Sequence, residues 1–166
     1  MPKYTEKIKK QILPLVPLDG VVIFPAIPIS VELTSKQAVE ACERASNGDG
    51  EAFFVLRKFD DSGAVVSAAS SDTLIQEKDV YRIGCTAFIK QLVKFRDDNA
   101  RVVVEGISRA EMILLDTDDQ NIPMATVFNK SIKLESMGDP EIEAQVYALR
   151  NFFDEFSERL PKLSSD

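Results

Sequence analysis

The chain has no histidine among its 166 residues. That absence removes imidazole acid–base catalysis, histidine-containing triads and histidine metal ligands together. Cysteine is nearly as scarce: Cys42 and Cys85 stand far apart, without a Cys-x-x-Cys pattern and with room for one disulfide at most. Their apolar neighbours predict reduced, buried thiols that pack as small hydrophobes. A phosphate loop of the form Gly-x-x-x-x-Gly-Lys-Ser/Thr is missing. So is Gly-x-Ser-x-Gly; Gly106-Ile107-Ser108 begins that pattern and Ala110 breaks it. No apolar run reaches the ~18 residues of a membrane span. The basic opening MPKYTEKIKKQ leads into a proline-broken stretch rather than the continuous apolar core of a signal peptide. A cytoplasmic chain is the expectation. Basic residues never cluster beyond a pair such as Lys9-Lys10, and the net charge is −7, which argues against a nucleic-acid partner.

What the sequence does have is apolar residues, 45% of the total, enough for a sizeable core. The densest stretch is LPLVPLDGVVIFPAIPISVEL, from Leu13 to Leu33, and it holds four prolines, Pro14, Pro17, Pro25 and Pro28. Proline lacks a backbone donor and fixes φ, so this segment reads as short extended pieces. Pro14 and Pro17 predict an edge strand, Asp19-Gly20 a turn, Val21–Phe24 a short buried strand, and Ile29, Val31 and Leu33 the inward face of another. A helix follows, opened by Thr34 with Gln37 three residues on, its stripe formed by Ala38, Val39, Cys42 and Ala45. Further strands are expected at 51–59, 80–95, 100–107, 108–115 and 122–134, with an exposed excursion at 60–79 containing a small strand at 64–68. Gly84 and Gly106 read as bends. Asp139 and Pro140 then open a helix with Ile142, Val146, Leu149, Phe153, Phe156 and Leu160 at heptad spacing. Its apolar face either packs on the sheet or meets a partner helix.

Three regions follow: a frayed terminus (1–10), a β-rich domain (11–136) and the truncated start of a helical region (137–166). The fold class is α+β, mostly β, a small barrel of about six strands with one inserted helix and a C-terminal amphipathic helix. Candidate chemistry is thin. Asp60-Asp61, Asp97-Asp98 and Asp116 with Asp118-Asp119 fall in expected turns, where aspartate is a turn former. Glu105 and Arg109 flank Gly106 and read as an ion pair at a bend. The Phe24-Pro25-Ala26-Ile27-Pro28 loop either caps the barrel end or offers an apolar patch to another chain.

The order Leu15-Val16-Pro17-Leu18, then Val21-Val22-Ile23-Phe24-Pro25, resembles the start of the ATP-dependent Lon protease family, with its PLxPLRxxVVFPG opening. Tyr81–Ile89 is similar to the family's Y-x-V-G-x-x-A-x-I, and Val102–Ala110 to V-x-V-x-G-x-x-R-A. The blocks cover roughly residues 11–135 in the family's order. The resemblance implies a PUA-like pseudo-barrel that recognises unfolded or damaged protein and aids ring assembly, without catalysis of its own. ATP, magnesium and the Ser-Lys protease would belong to modules absent here, which makes the chain a fragment of a homo-oligomeric enzyme. The alternatives are a stand-alone interaction module or a PUA-like RNA binder. Candidate substrate contacts are Phe24, Pro25, Ile27 and Pro28, with Lys36 and Gln37 at a helix opening that is often charged in the family. Candidate self-association residues are Val146, Leu149, Phe153 and Phe156. The family's Arg-Asp is Asp19-Gly20 here, and Pro25-Ala26-Ile27 replaces its Pro-Gly/His-Met turn, so charge-based contacts do not carry across.

Overall fold

Proline and glycine decide where the backbone of this protein can pair. The computed structural model describes residues 4–59, 74–95, 99–134 and 140–159, with side chains from residue 9 to 129 within those ranges and from 140 to 157. Asp60-Asp61, the strand expected at 64–68, Asp97-Asp98, Asp139 and Leu160 lie outside the described residues. The chain divides into two units, one of residues 6–131 and one of residues 1–5 with 132–166.

The strands are β1 (Tyr4–Leu18), β2 (Pro28–Leu33), β3 (Glu51–Leu56), β4 (Ile83–Lys94), β5 (Ala100–Thr117) and β6 (Pro123–Leu134). Helix α1 (Lys36–Ser46) precedes β3, and α2 (Pro140–Arg159) follows β6. A 3-10 turn occupies Glu77–Asp79. The sheet order is β2-β5-β4-β3-β1-β6, and β5 also pairs with β6, which closes five strands into a ring with β2 at its side. The mostly β architecture with one inserted helix is thus the one the sequence predicts.

β1 already runs from Tyr4, within the segment expected to be frayed. It is not an edge strand: it lies between β3 and β6. Its prolines are tolerated because main-chain groups alternate in direction along a strand. The Leu18 carbonyl accepts from Arg57 N–H at 2.9 Å, so the Pro17 nitrogen faces away from β3. β1 and β3 pair in parallel from Leu15↔Phe53 to Leu18↔Leu56. A parallel pair needs a long crossover, which α1 supplies.

α1 is capped one residue later than expected: Ser35, not Thr34, accepts from Ala38 N–H at 3.3 Å. Its predicted stripe of Ala38, Val39, Cys42 and Ala45 is buried, together with Val31, Leu33, Phe54 and Val102, in the larger core. A second core holds Leu15, Phe53, Val55, Val80, Met112 and Val127. β3 therefore buries both faces, Ala52 and Phe54 in one core and Phe53 and Val55 in the other. Cys42 and Cys85 are free and buried, as predicted.

Two expected strands are one: β5 runs unbroken through Gly106. Gly84 stands in regular pairing with Ala110, whereas Gly106 adjoins an irregularity: Thr86 pairs with Ser108 and Ala87 with Gly106, so Ile107 is left out of the ladder. A Cβ at Gly84 would overlap the Phe54 carbonyl oxygen and approach Phe53 Cζ to 2.7 Å. At Gly106 it would lie 2.7 Å from the Phe24 carbonyl carbon. Both glycines are places where backbone approaches backbone. The β4–β5 register shifts a second time between Ile89 and Gln91. Glu105 pairs with Lys90 at 2.7 Å, which replaces the expected partner Arg109.

Candidate functional site

The segment between β1 and β2 departs most from expectation and carries the site. Val21–Phe24, predicted as a buried strand, is irregular; Ile23 alone is buried, while Val22 and Phe24 are 51% and 60% exposed. Downstream, the chain is pinned to β5. Pro25 forms a bridge with Gly106, Ala26 N–H donates to the Gly106 carbonyl at 2.8 Å, and Gly106 N–H donates to the Ile27 carbonyl at 3.4 Å. Ala26 takes φ 61°, the left-handed conformation that this tight turn demands. Two prolines and the Gly106 seat fix the loop, which directs Phe24 and the 53% exposed Ile27 outward.

Beside this loop lies an apolar cleft of about 200 Å³. Val21, Val22 and Ile23 line it together with Tyr81 and Ile83, and Phe54, Gly84 and Cys85 also contribute. Val22, Tyr81 and Ile83 remain exposed at its mouth, and Ile107 is exposed next to the Gly106 seat. The Lys58 ammonium stands 5.9 Å from the centre of the Tyr81 ring. Burial pushes the Cys85 thiol up, against partial opposition from the backbone N–H groups of Ile107 and Ser108.

Of the predicted contacts, Phe24, Pro25, Ile27 and Pro28 are exposed together on this loop. Lys36 is exposed at the start of α1 and pairs with Glu40 at 3.8 Å. Gln37 is a correction: at 8% exposure it faces the core side of α1 and offers almost no surface. Val22, Tyr81, Ile83 and Ile107 are absent from the sequence-derived candidates. Alternation in Val21–Phe24 was the available signal for Val22; Tyr81 and Ile83 are about sixty residues away in sequence, and no local pattern announces them. In α2, Val146, Leu149, Phe153 and Phe156 are exposed, as are Tyr147 and Phe152.

A larger, polar depression of about 540 Å³ runs between the end of α1 and β4, lined by Glu43, Asn47, Asp49, Phe88, Lys90 and Gln91 among others. Two of its charges are already spent internally, Lys90 on Glu105 and Glu43 on Lys94. Among the described residues no group of three or more Cys, Asp or Glu is placed to hold a metal ion, and no helix is long and apolar enough to cross a membrane.

Comparison with known proteins places this geometry. Residues 12–166 match the family model described as the ATP-dependent protease La (LON) substrate-binding domain. The Lon protease of Clostridioides difficile is 31% identical over 152 residues, covering 88% of this chain and 17% of that protein. The Lon protease of Syntrophomonas wolfei is 30% identical over 152 residues, covering 90% and 17%. The chain thus spans less than a fifth of the length of these relatives. Among solved structures, the N-terminal domain of a Mycobacterium avium complex Lon protease aligns with a TM-score of 0.62 at 15% identity, over 90% of this chain and 69% of that one. A Lon N-terminal domain protein from Xanthomonas campestris aligns at 0.51 and 16%, over 93% and 76%. The chain belongs to the Lon substrate-binding domain family.

Proposed function

We propose that this domain is the non-catalytic substrate-recognition part of an ATP-dependent serine protease and holds exposed apolar segments of unfolded or damaged proteins for delivery to an ATPase ring. The observation that carries the reading is a pair of large apolar side chains, Phe24 and Ile27, exposed to water on a loop whose backbone is hydrogen-bonded to Gly106. Presenting apolar groups on a fixed frame lowers the ordering cost of binding. The floppy partner still loses entropy, so each site is weak and several copies in one assembly supply avidity. On this reading ATP and magnesium serve the ATPase module, the compartment is the cytoplasm, and the partners are protein chains rather than nucleic acid, in keeping with the −7 charge.

The test is titration of a permanently unfolded model protein against the wild type and Phe24→Ser/Ile27→Ser. Burying one such side chain is worth about 1.5–3 kcal/mol when complete. Partial burial of two predicts affinity lower by roughly tenfold or more. Equal affinity in a variant that melts like the wild type would remove the loop from the binding role.

A second reading rests on α2. Its exposed Val146, Leu149, Phe153 and Phe156 form an apolar stripe suited to helix–helix association. Assembly and substrate recognition would then use different units of the chain.

A further inference from the structure

We propose that Val21–Phe24 is a landing edge for an extended polypeptide, which adds to it as a strand and places a side chain in the neighbouring apolar cleft. The proposal rests on the substrate-recognition reading and names its mode.

Among the described residues, no hydrogen bond reaches the backbone N–H or C=O of Val21, Val22 or Ile23. The chain on either side is paired: the Leu18 carbonyl takes Arg57 N–H and Ala26 N–H reaches the Gly106 carbonyl. Three consecutive residues therefore leave six main-chain groups for water or a partner, a gap in an otherwise bonded path. Exposure along the gap alternates, with Val22 and Phe24 out and Ile23 in, the period of a strand with one face on a core. The buried Ile23 anchors the segment so that it does not need a sheet neighbour to stay in place.

The cleft of about 200 Å³ is lined by Val21, Val22 and Ile23 of this segment and by Tyr81 and Ile83. A strand laid beside Val21–Phe24 would turn every second side chain toward it. Main-chain pairing supplies affinity that ignores sequence, and the cleft adds a preference for an apolar residue at alternate positions. That combination suits a domain that receives many different unfolded chains. The outer edge of β4 beyond Phe88 contrasts with it: Lys90, Lys94 and the irregularity between Ile89 and Gln91 are features that discourage strand addition. Val21–Phe24 carries no charge.

The experiment uses the 166-residue chain and two labelled decapeptides of alternating leucine and serine, one ordinary and one N-methylated at every residue. The side chains are the same, but the main-chain donors of both edges are lost. Fluorescence anisotropy is expected to show about tenfold weaker binding of the methylated peptide, and amide exchange is expected to slow at alternate residues, Val21 and Ile23 or else Val22, only with the ordinary one. Ile83→Asp, at an exposed position, is expected to weaken binding of the leucine peptide but not of an alanine–serine counterpart. Equal binding of both leucine peptides would overturn strand addition and leave apolar capture standing. Binding of neither would overturn the substrate-recognition reading and this inference with it.

Discussion

Ala26 shows how closely the site is drawn. A residue with a Cβ at φ 61° carries a cost of about 1–2 kcal/mol that glycine escapes. Ala26→Gly is expected to raise stability by roughly 0.5–1 kcal/mol in urea unfolding, part of the relief being offset by greater freedom of the unfolded chain. Gly106→Ala acts in the opposite sense. Its new methyl would sit 3.0 Å from Pro25 Cα and closer still to the Phe24 carbonyl, and overpacking of this kind costs about 1–3 kcal/mol. Glycine serves both bends and close approaches, and one sequence cannot separate the two: Gly84 is a close approach within regular pairing, and Gly106 is a close approach beside the bulged Ile107. The cysteines were legible, because a thiol among apolar neighbours has one ordinary fate. Burial, with a smaller contribution from Glu43, pushes the Cys42 thiol from 9.0 to about 12. An unfolded chain ionises this thiol near 9.0 and the native chain does not, so its contribution is intact below 9.0 and is lost as pH rises toward 12. Cys42→Ala is expected to flatten the alkaline limb of a stability–pH curve, read by urea midpoints between pH 8 and 11.

Among the elements, α1 was read correctly to within one residue because its apolar period and its cap agree. The prolines of β1 misled, because the rule that places proline at sheet edges concerns its missing donor, and at Pro17 that donor would have faced away from β3. The Val21–Phe24 segment misled for the complementary reason: four apolar residues look like a strand whether or not a neighbour is there to pair with them. Of the aspartates expected in a turn after β5, Asp116 belongs instead to β5, opposite Met124, while Asp118 organises the turn. Asp118 Oδ1 accepts from Gln120 N–H and Ile122 N–H, both at 2.9 Å, and Oδ2 holds Arg44 of α1 at 3.2 Å. Desolvation pushes the Asp118 carboxyl up, but the Ile122 and Gln120 donors and Arg44 together outweigh it and hold the group below 3.8. A depressed carboxyl contributes stability that is present above its ordinary value and is lost as pH falls through its folded value. Asp118→Ala is expected to cost about 1 kcal/mol at pH 7 and progressively less below 3.8, measured by thermal melts from pH 7 to pH 3.

At the scale of the whole chain, the architecture and family were legible because they rest on ordered blocks of local pattern. The cleft was not, because Val22 comes to share it with Tyr81 and Ile83 only once β1, β3 and β4 are side by side. The sequence left the face of the last helix open between a core-facing and a partner-facing role. Val146, Leu149, Phe152, Phe153 and Phe156 all carry exposed apolar surface. Water-exposed apolar stripes at heptad spacing drive helices together, at about 25 cal/mol for each Å² covered. The 166-residue chain is therefore expected to show a weight-average mass that climbs with concentration in sedimentation equilibrium. Leu149→Glu/Phe153→Glu is expected to hold it at the monomer mass of 18.5 kDa while leaving the melting of the β-rich unit unchanged. Because Phe24 and Ile27 belong to the unit of residues 6–131 and this stripe to the other, the same variant should also keep its affinity for an unfolded chain at low concentration. Loss of both properties together would mean that recognition requires assembly, whereas a wild type that stays monomeric throughout would take α2 out of self-association.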